Sequence, residues 1–245
     1  ATETGEGTDA MKTFVLLLAL TAALHAETVD DVIARNIQAH GGLDKLRAIH
    51  SLRVKGRVGS NANKVSFVDL NERPDKVRHE THIQGFVEIT AYDGHTGWKV
   101  SPFEGRKTPD LVSEDDLKNL REDADIDGPL VDYQAKGHTA ELLGHDDVEG
   151  TDCWKVKLTL KDGNARIYYF DTASGLEIKM DTQNLVRGTL QESEVWFGDY
   201  EARNGVYFPF AVEAGQKGSQ DRTHMTVDDV DVNPKLDDAL FSLPK

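Results

Sequence analysis

From Leu52 onward the hydropathy of this chain repeats every two residues. Leu52, Val54 and Val58 alternate with Arg53, Lys55 and Arg57, and Trp154, Val156, Leu158 and Leu160 alternate with Lys155, Lys157, Thr159 and Lys161. Leu176, Ile178 and Met180 follow the same rule, as do Val206, Phe208, Phe210 and Val212. A strand turns successive side chains to opposite faces, so each run has one apolar and one wet face. Asp93-Gly94, Asp162-Gly163, Ser174-Gly175 and Asn204-Gly205 separate the runs as turns. The pattern predicts about eleven strands, near 50–58, 64–71, 75–82, 85–93, 97–101, 138–146, 152–161, 164–171, 176–184, 189–200 and 205–213, with a further one near 222–232. Strands joined by hairpins form an antiparallel meander. No repeat and no linker divides the run, so residues 27–245 read as one domain.

Helical spacing is confined to short stretches. Thr28 followed by Asp31 resembles a capping box, Val29, Val32, Ile33 and Ile37 share a face, and Gly41-Gly42 ends the helix. Leu43 to Ile49 fits a second short helix. The meander is interrupted at 102–136, where Ser113 and Asp116 cap a weakly amphipathic helix containing Leu117 and Leu120. A long polar insert of this kind reads as a lid.

The apolar faces exceed what these helices cover. A flat sheet of eleven strands is about 50 Å wide, whereas a helix is about 10–12 Å across. The sheet must curl and either fill its interior with side chains or leave room for an apolar ligand. Leu52, Val54, Val65, Phe67, Phe86, Ile89, Trp98, Phe103, Leu158, Phe208 and Phe210 are the candidate cavity wall.

Residues 11–26 have the layout of a secretory signal peptide: Lys12, an apolar run from Phe14 to Ala23, then small residues to Ala26, the preferred cleavage point. The run is too short to cross a bilayer. No Cys stands directly after the cleavage point, so a lipoprotein anchor is not expected. Residues 1–10 are acidic, unlike the start of a signal, and read as an upstream leader or remnant. The expected location is the periplasm, with the signal removed.

The formal charge of −15 argues against nucleic acid and against docking on anionic headgroups by charge. A single Cys excludes an internal disulfide and a Cys-based zinc cluster. Catalytic motifs are absent: there is no G-x-S-x-G elbow, no P-loop and no G-x-G-x-x-G after a strand. His79-Glu80-Thr81-His82 is one residue short of the zinc motif, and its two His face opposite sides of a strand. Asp123, Asp125, Asp127 and Gly128 match the opening of a calcium loop, but Pro129 and Gln134 stand where position 7 and the closing Glu would be. They are a weak calcium candidate, an acidic loop being the simpler reading. No catalytic residue and no cofactor is expected.

Three segments carry a resemblance. They are Arg73-Pro74-Asp75-Lys76-Val77, the run Val87 to Trp98 with Asp93-Gly94 and then Pro102-Phe103, and the tail Asn233 to Phe241 with Pro244. Together they resemble the LolA/LolB-like superfamily of outer-membrane lipoprotein-sorting proteins, over roughly residues 48–245. The resemblance implies a mainly β fold with α: a strongly curved antiparallel sheet, an unclosed half-barrel wrapped over one or two helices. It also implies a monomeric carrier that holds lipoprotein acyl chains or other lipid between an inner-membrane transporter and an outer-membrane acceptor. The arginine of the Arg-Pro turn, Arg73 here, is implied to latch the lid, and Trp98 to belong to the cavity wall. The long acidic insert departs from the pattern. An envelope sensor or scaffold of the same fold, acting through protein contacts, is the alternative. Residues 110–132 carry nine acidic side chains against Lys118 and Arg121, which points to the insert as an exposed docking or gating element.

Overall fold

The computed structural model describes residues 27–59, 65–102 and 108–244. The leader, the signal segment and Phe103 lie outside them. Two helices come first, α1 (Val29–Ala39) and α2 (Leu43–Arg47). Strands β1 (Ser51–Val58), β2 (Val65–Glu72), β3 (Lys76–Ile83), β4 (Phe86–Tyr92) and β5 (Gly97–Val100) follow. The insert contributes β6 (Asp110–Leu111) and α3 (Glu114–Asp123). The remaining strands are β7 (Thr139–Val148), β8 (Thr151–Thr159), β9 (Ala165–Asp171), β10 (Glu177–Val186), β11 (Thr189–Arg203), β12 (Val206–Gln216) and β13 (Thr223–Val232).

All thirteen strands form one antiparallel sheet in the order β6-β5-β4-β3-β2-β1-β13-β12-β11-β10-β9-β8-β7. β6 and β7 are its edges, so the sheet is open. Among the described residues, consecutive strands pair throughout except β6 and β7, which lie at opposite edges, and the pairing of β1 with β13 joins the two halves. The twelve expected strands are all present; the additional strand is β6, two residues of the insert too short to show a period.

Residues paired directly across strands share a face, and the registers trace one apolar face across the sheet. It runs from Tyr92 and Val77 through Asp69 to Val54 and Val230, and from Val212 through Phe197 to Val195, Met180, Tyr168 and Val156. This inner face carries the helices. Thr28 and Asp31 cap α1 reciprocally, and α1 buries Val32, Ile33 and Asn36. Its apolar stripe packs with Leu130 and Tyr133 on Val156, Leu158, Tyr168 and Phe170. Gly41 and Gly42 end α1 at positive φ (119° and 94°), a conformation open to glycine. On the other flank Leu117 and Leu120 of α3 pack on Val77 and Tyr92.

Candidate functional site

Between the two helix-covered flanks lie β1, β13 and β12. Their inner face is a single apolar floor: Phe210, Val227 and Val230 are buried, and Leu52, Val54, Phe208 and Val232 are half-buried against them. The floor continues along the strands through half-buried Val58, Val65, Val195, Phe197, Val212 and Met225. Phe67 closes over Gly56, where an added Cβ would lie 2.5 Å from the ring.

Above one end of the floor sits a cavity of about 240 Å³, lined by Ile37, His40, Leu46, Ile126, Leu130 and Phe208 among others. Its roof is α2 and the turn-rich segment 124–131. Arg73 ties the roof together. Nε donates to Ile49 O (2.5 Å), Nη2 to Leu46 O (3.2 Å), and Nη1 and Nη2 grip the two carboxylate oxygens of Asp127 (2.6 and 2.5 Å). A planar fork suits this set of acceptors, where an ammonium would not reach them all. The guanidinium holds the Asp127 carboxyl below its ordinary pKa, chiefly through these hydrogen bonds.

Further ion pairs fasten the insert. Arg166, 5% exposed, grips Glu122 through Nε and Nη2 (3.0 and 2.6 Å). Arg47 meets Asp132 at 2.8 Å, and Lys136 pairs with Asp125. Asn71 Nδ2 donates to Asp123 O (2.6 Å), and His79 lies between Asp69 (2.8 Å) and Asp123 (3.4 Å). Burial opposes charge on His79, but hydrogen bonds and charges from Asp123 and Asp69 outweigh it and lift its pKa to about 10.

The acidic loop is thereby explained. Asp123, Asp125 and Asp127 face three different cations in three directions, and no described residues form a group that could hold a metal. The expectation of an outward docking element is corrected in part. Four of the nine acids of 110–132, namely Glu122, Asp123, Asp127 and Asp132, pair back onto the body of the protein, and Asp125 pairs with Lys136 within the insert.

A polar cluster on the cavity wall was not expected. Glu177 Oε2 accepts from Asn36 Nδ2 and His40 Nε2, each at 2.8 Å, and His40 Nδ1 faces Tyr207 O at 2.8 Å. Both ring nitrogens of His40 face acceptors, an arrangement that favours the imidazolium. Burial opposes that charge, yet Glu177 and the Tyr207 carbonyl raise its pKa, while His40 and Asn36 lower that of Glu177 against burial. The signal lay in α1: Asn36 and His40 interrupt the stripe begun by Val29, Val32 and Ile33.

The candidate wall residues separate into groups. Leu52, Val54, Val65, Phe67, Phe208 and Phe210 lie together on the inner floor. Phe86 shares that face at the β3–β4 turn and is 54% exposed. Leu158 is fully buried under α1, in filled core. Trp98 and Ile89 are on the opposite, outer face, which corrects their assignment to the cavity wall. The reason is the pleat. Gly97 pairs with Tyr92 on the inner face, where an added Cβ would lie 2.6 Å from Val112 and 2.9 Å from Leu117. Trp98 therefore points outward, where it is buried by the C-terminal tail and Nε1 donates to Phe241 O (2.7 Å). Cys153 is buried on the outer face beside Tyr169, and burial with nearby carboxylates pushes its thiol up to about 11.

No curated protein matches the chain in sequence. A family model described as "Uncharacterized protein" matches residues 124–245. Among solved structures, a DUF1329 family protein from Desulfovibrio piger aligns with a TM-score of 0.62 at 12% identity, over 89% of this chain and 98% of that one. A LolA superfamily protein from Nitrosomonas europaea aligns with a TM-score of 0.59 at 12% identity, over 89% and 98%. A Vibrio parahaemolyticus domain, described as a candidate outer membrane lipoprotein-sorting protein, gives 0.54 at 12% identity over 81% and 93%. At this identity the likeness is one of architecture, and the chain has the fold of the LolA superfamily: one open antiparallel sheet with its helices on the inner face.

Proposed function

We propose that this protein is a periplasmic carrier that buries acyl chains of lipoproteins or other lipids on its inner face and passes them toward the outer membrane. The observation that supports this reading is the apolar floor of β1, β13 and β12, left half-buried between covered flanks and roofed at one end by a segment held by polar contacts. Each methylene buried there contributes about 0.8 kcal/mol, with no chemistry required. The roofed cavity, at about 240 Å³, is smaller than the roughly 300–1,000 Å³ of ordinary ligand pockets. Acyl chains therefore enter only when segment 124–131 lifts. Arg73 is the latch, because it joins that segment to α2 and the end of β2. A lipid shifts this equilibrium only by binding the open form better than the closed one, which the floor supplies. Residues 11–26 direct export in this account.

Native mass spectrometry tests the proposal. Protein purified from its own envelope, and delipidated protein offered a diacylated peptide, are expected to carry acylated cargo. Lipid-free protein in both preparations would sink the carrier reading and favour a sensor or scaffold.

A further inference from the structure

A second cavity, about 410 Å³, lies between α3 and the β8–β9 turn. Its wall is basic, although the whole chain carries −15. Lys118, Arg121, Lys136 and Lys161 line it, and of its three carboxylates Glu122 is engaged by Arg166 and Asp125 by Lys136. The third, Asp162, accepts hydrogen bonds from Asn164. Among the described residues, the Arg121 guanidinium and Lys161 Nζ have no partner. His138 Nδ1 accepts from the Lys161 backbone N–H (3.1 Å), which fixes the ring proton on Nε2 and leaves that N–H as the free donor. Leu160 and Pro129 supply apolar wall.

The geometry points to a binding site for a phosphate group, with Arg121 and Lys161 as its charge partners and His138 Nε2–H as a neutral donor. Two unpaired cations, one N–H and an apolar wall recognise an anion attached to an apolar or glycerol body better than a fully hydrated ion. The β8–β9 turn lies at the same end of the sheet as the β10–β11 and β12–β13 turns, since the strands between them pair antiparallel in register. The half-buried floor residues Val195, Val212 and Met225 run toward that end. The phosphate source is thus either a phospholipid headgroup, whose chains reach the floor, or a soluble phosphate ester. The site itself stands on its own geometry; only the phospholipid source rests on the carrier reading.

His138 gives an independent readout. Burial and the Lys136 and Lys161 charges hold its pKa below the ordinary value, and a bound phosphate, dianionic in a monoester and monoanionic in a phospholipid diester, opposes the electrostatic part. The experiment titrates the full chain with glycerol 3-phosphate and, separately, with micelle-free dihexanoyl phosphatidylglycerol, following affinity by calorimetry and His138 by NMR. Uptake of an uncharged apolar dye is measured in parallel. Binding of either ligand with a raised His138 pKa, weakened about 10-fold or more in the double variant R121Q/K161Q, is the expected result. Binding of the ester identifies a soluble source, and binding of the lipid alone identifies a headgroup. Both changes lie on exposed side chains, so folding is retained and dye uptake stays as in the parent. No binding of either ligand, or equal binding by the double variant, overturns the site. Loss of dye uptake in the parent instead counts against the carrier reading and leaves the anion result standing.

Discussion

Arg73 joins three parts of the chain through one side chain, and its worth is measurable in isolation. Arg73→Leu and Asp127→Asn each leave a partner unsatisfied near the roof. A double-mutant cycle is expected to give a coupling of about 1–3 kcal/mol, with faster exchange of apolar dye in each single variant. Additive effects with unchanged exchange would remove Arg73 from the gate. His79 predicts a pH dependence. Its folded pKa, about 10, exceeds the ordinary 6.5, so the folded state holds the proton more tightly than the unfolded chain. Its stabilisation is complete below pH 6.5 and is lost as pH rises toward 10. The slope is at most about 1.4 kcal/mol per pH unit, reduced by solvent because the side chain is about one-third exposed. Denaturation midpoints of the parent should fall across that range, and His79→Gln should flatten the fall. An identical slope in the variant would contradict the Asp69–His79–Asp123 clamp. At this scale the sequence was partly readable. Arg73 stood out only through the resemblance. Asn36 and His40 were visible as polar breaks in an apolar stripe, but Glu177 was not. Its burial comes from the register shift that β10 makes against β9, which no local pattern records.

The elements of the insert behave as a roof fastened by charge. α3 needs a bare backbone beneath it, and Gly97 provides this. Gly97→Val should displace α3 from β5, lower stability by about 2 kcal/mol and raise dye binding. Retention of parental stability would mean that the helix is not seated there. The acids of the insert divide by direction. Glu122→Gln leaves Arg166 buried without its charge partner and should cost about 3 kcal/mol. Asp115→Asn, at the exposed start of α3, should cost no more than about 1 kcal/mol. Equal costs in thermal denaturation would contradict the inward latch. The strands were legible because period two survives wherever one face is wet, and α1 because its cap and its glycine stop are local. The partition of the acids was not, since a charge count does not say which carboxylates a distant Arg or His will reach. Trp98 was given to the wall by the resemblance, and the strand pattern around it could not correct that. Alternation assigns faces only after one residue is anchored, and the anchor was the close approach at Gly97.

For the whole molecule, strand number against helix number anticipated the design. Thirteen strands exceed what three short helices cover, and the surplus inner face is the floor of β1, β13 and β12. Sequence arithmetic left open whether that surplus is filled core or ligand space. The structure divides it: Leu158 and its neighbours are filled, while Val54, Phe208 and their neighbours remain half-buried under a polar roof. The most direct measurement of the central claim is photo-crosslinking of the full chain with a diazirine-bearing fatty acid, mapped by peptide mass spectrometry. The account predicts adducts on β1, β12 and β13, at Val54, Phe208, Phe210 and Met225, increased by Arg73→Leu. Adducts confined to the outer face around Tyr169 and Trp196, or no saturable labelling at all, would contradict it.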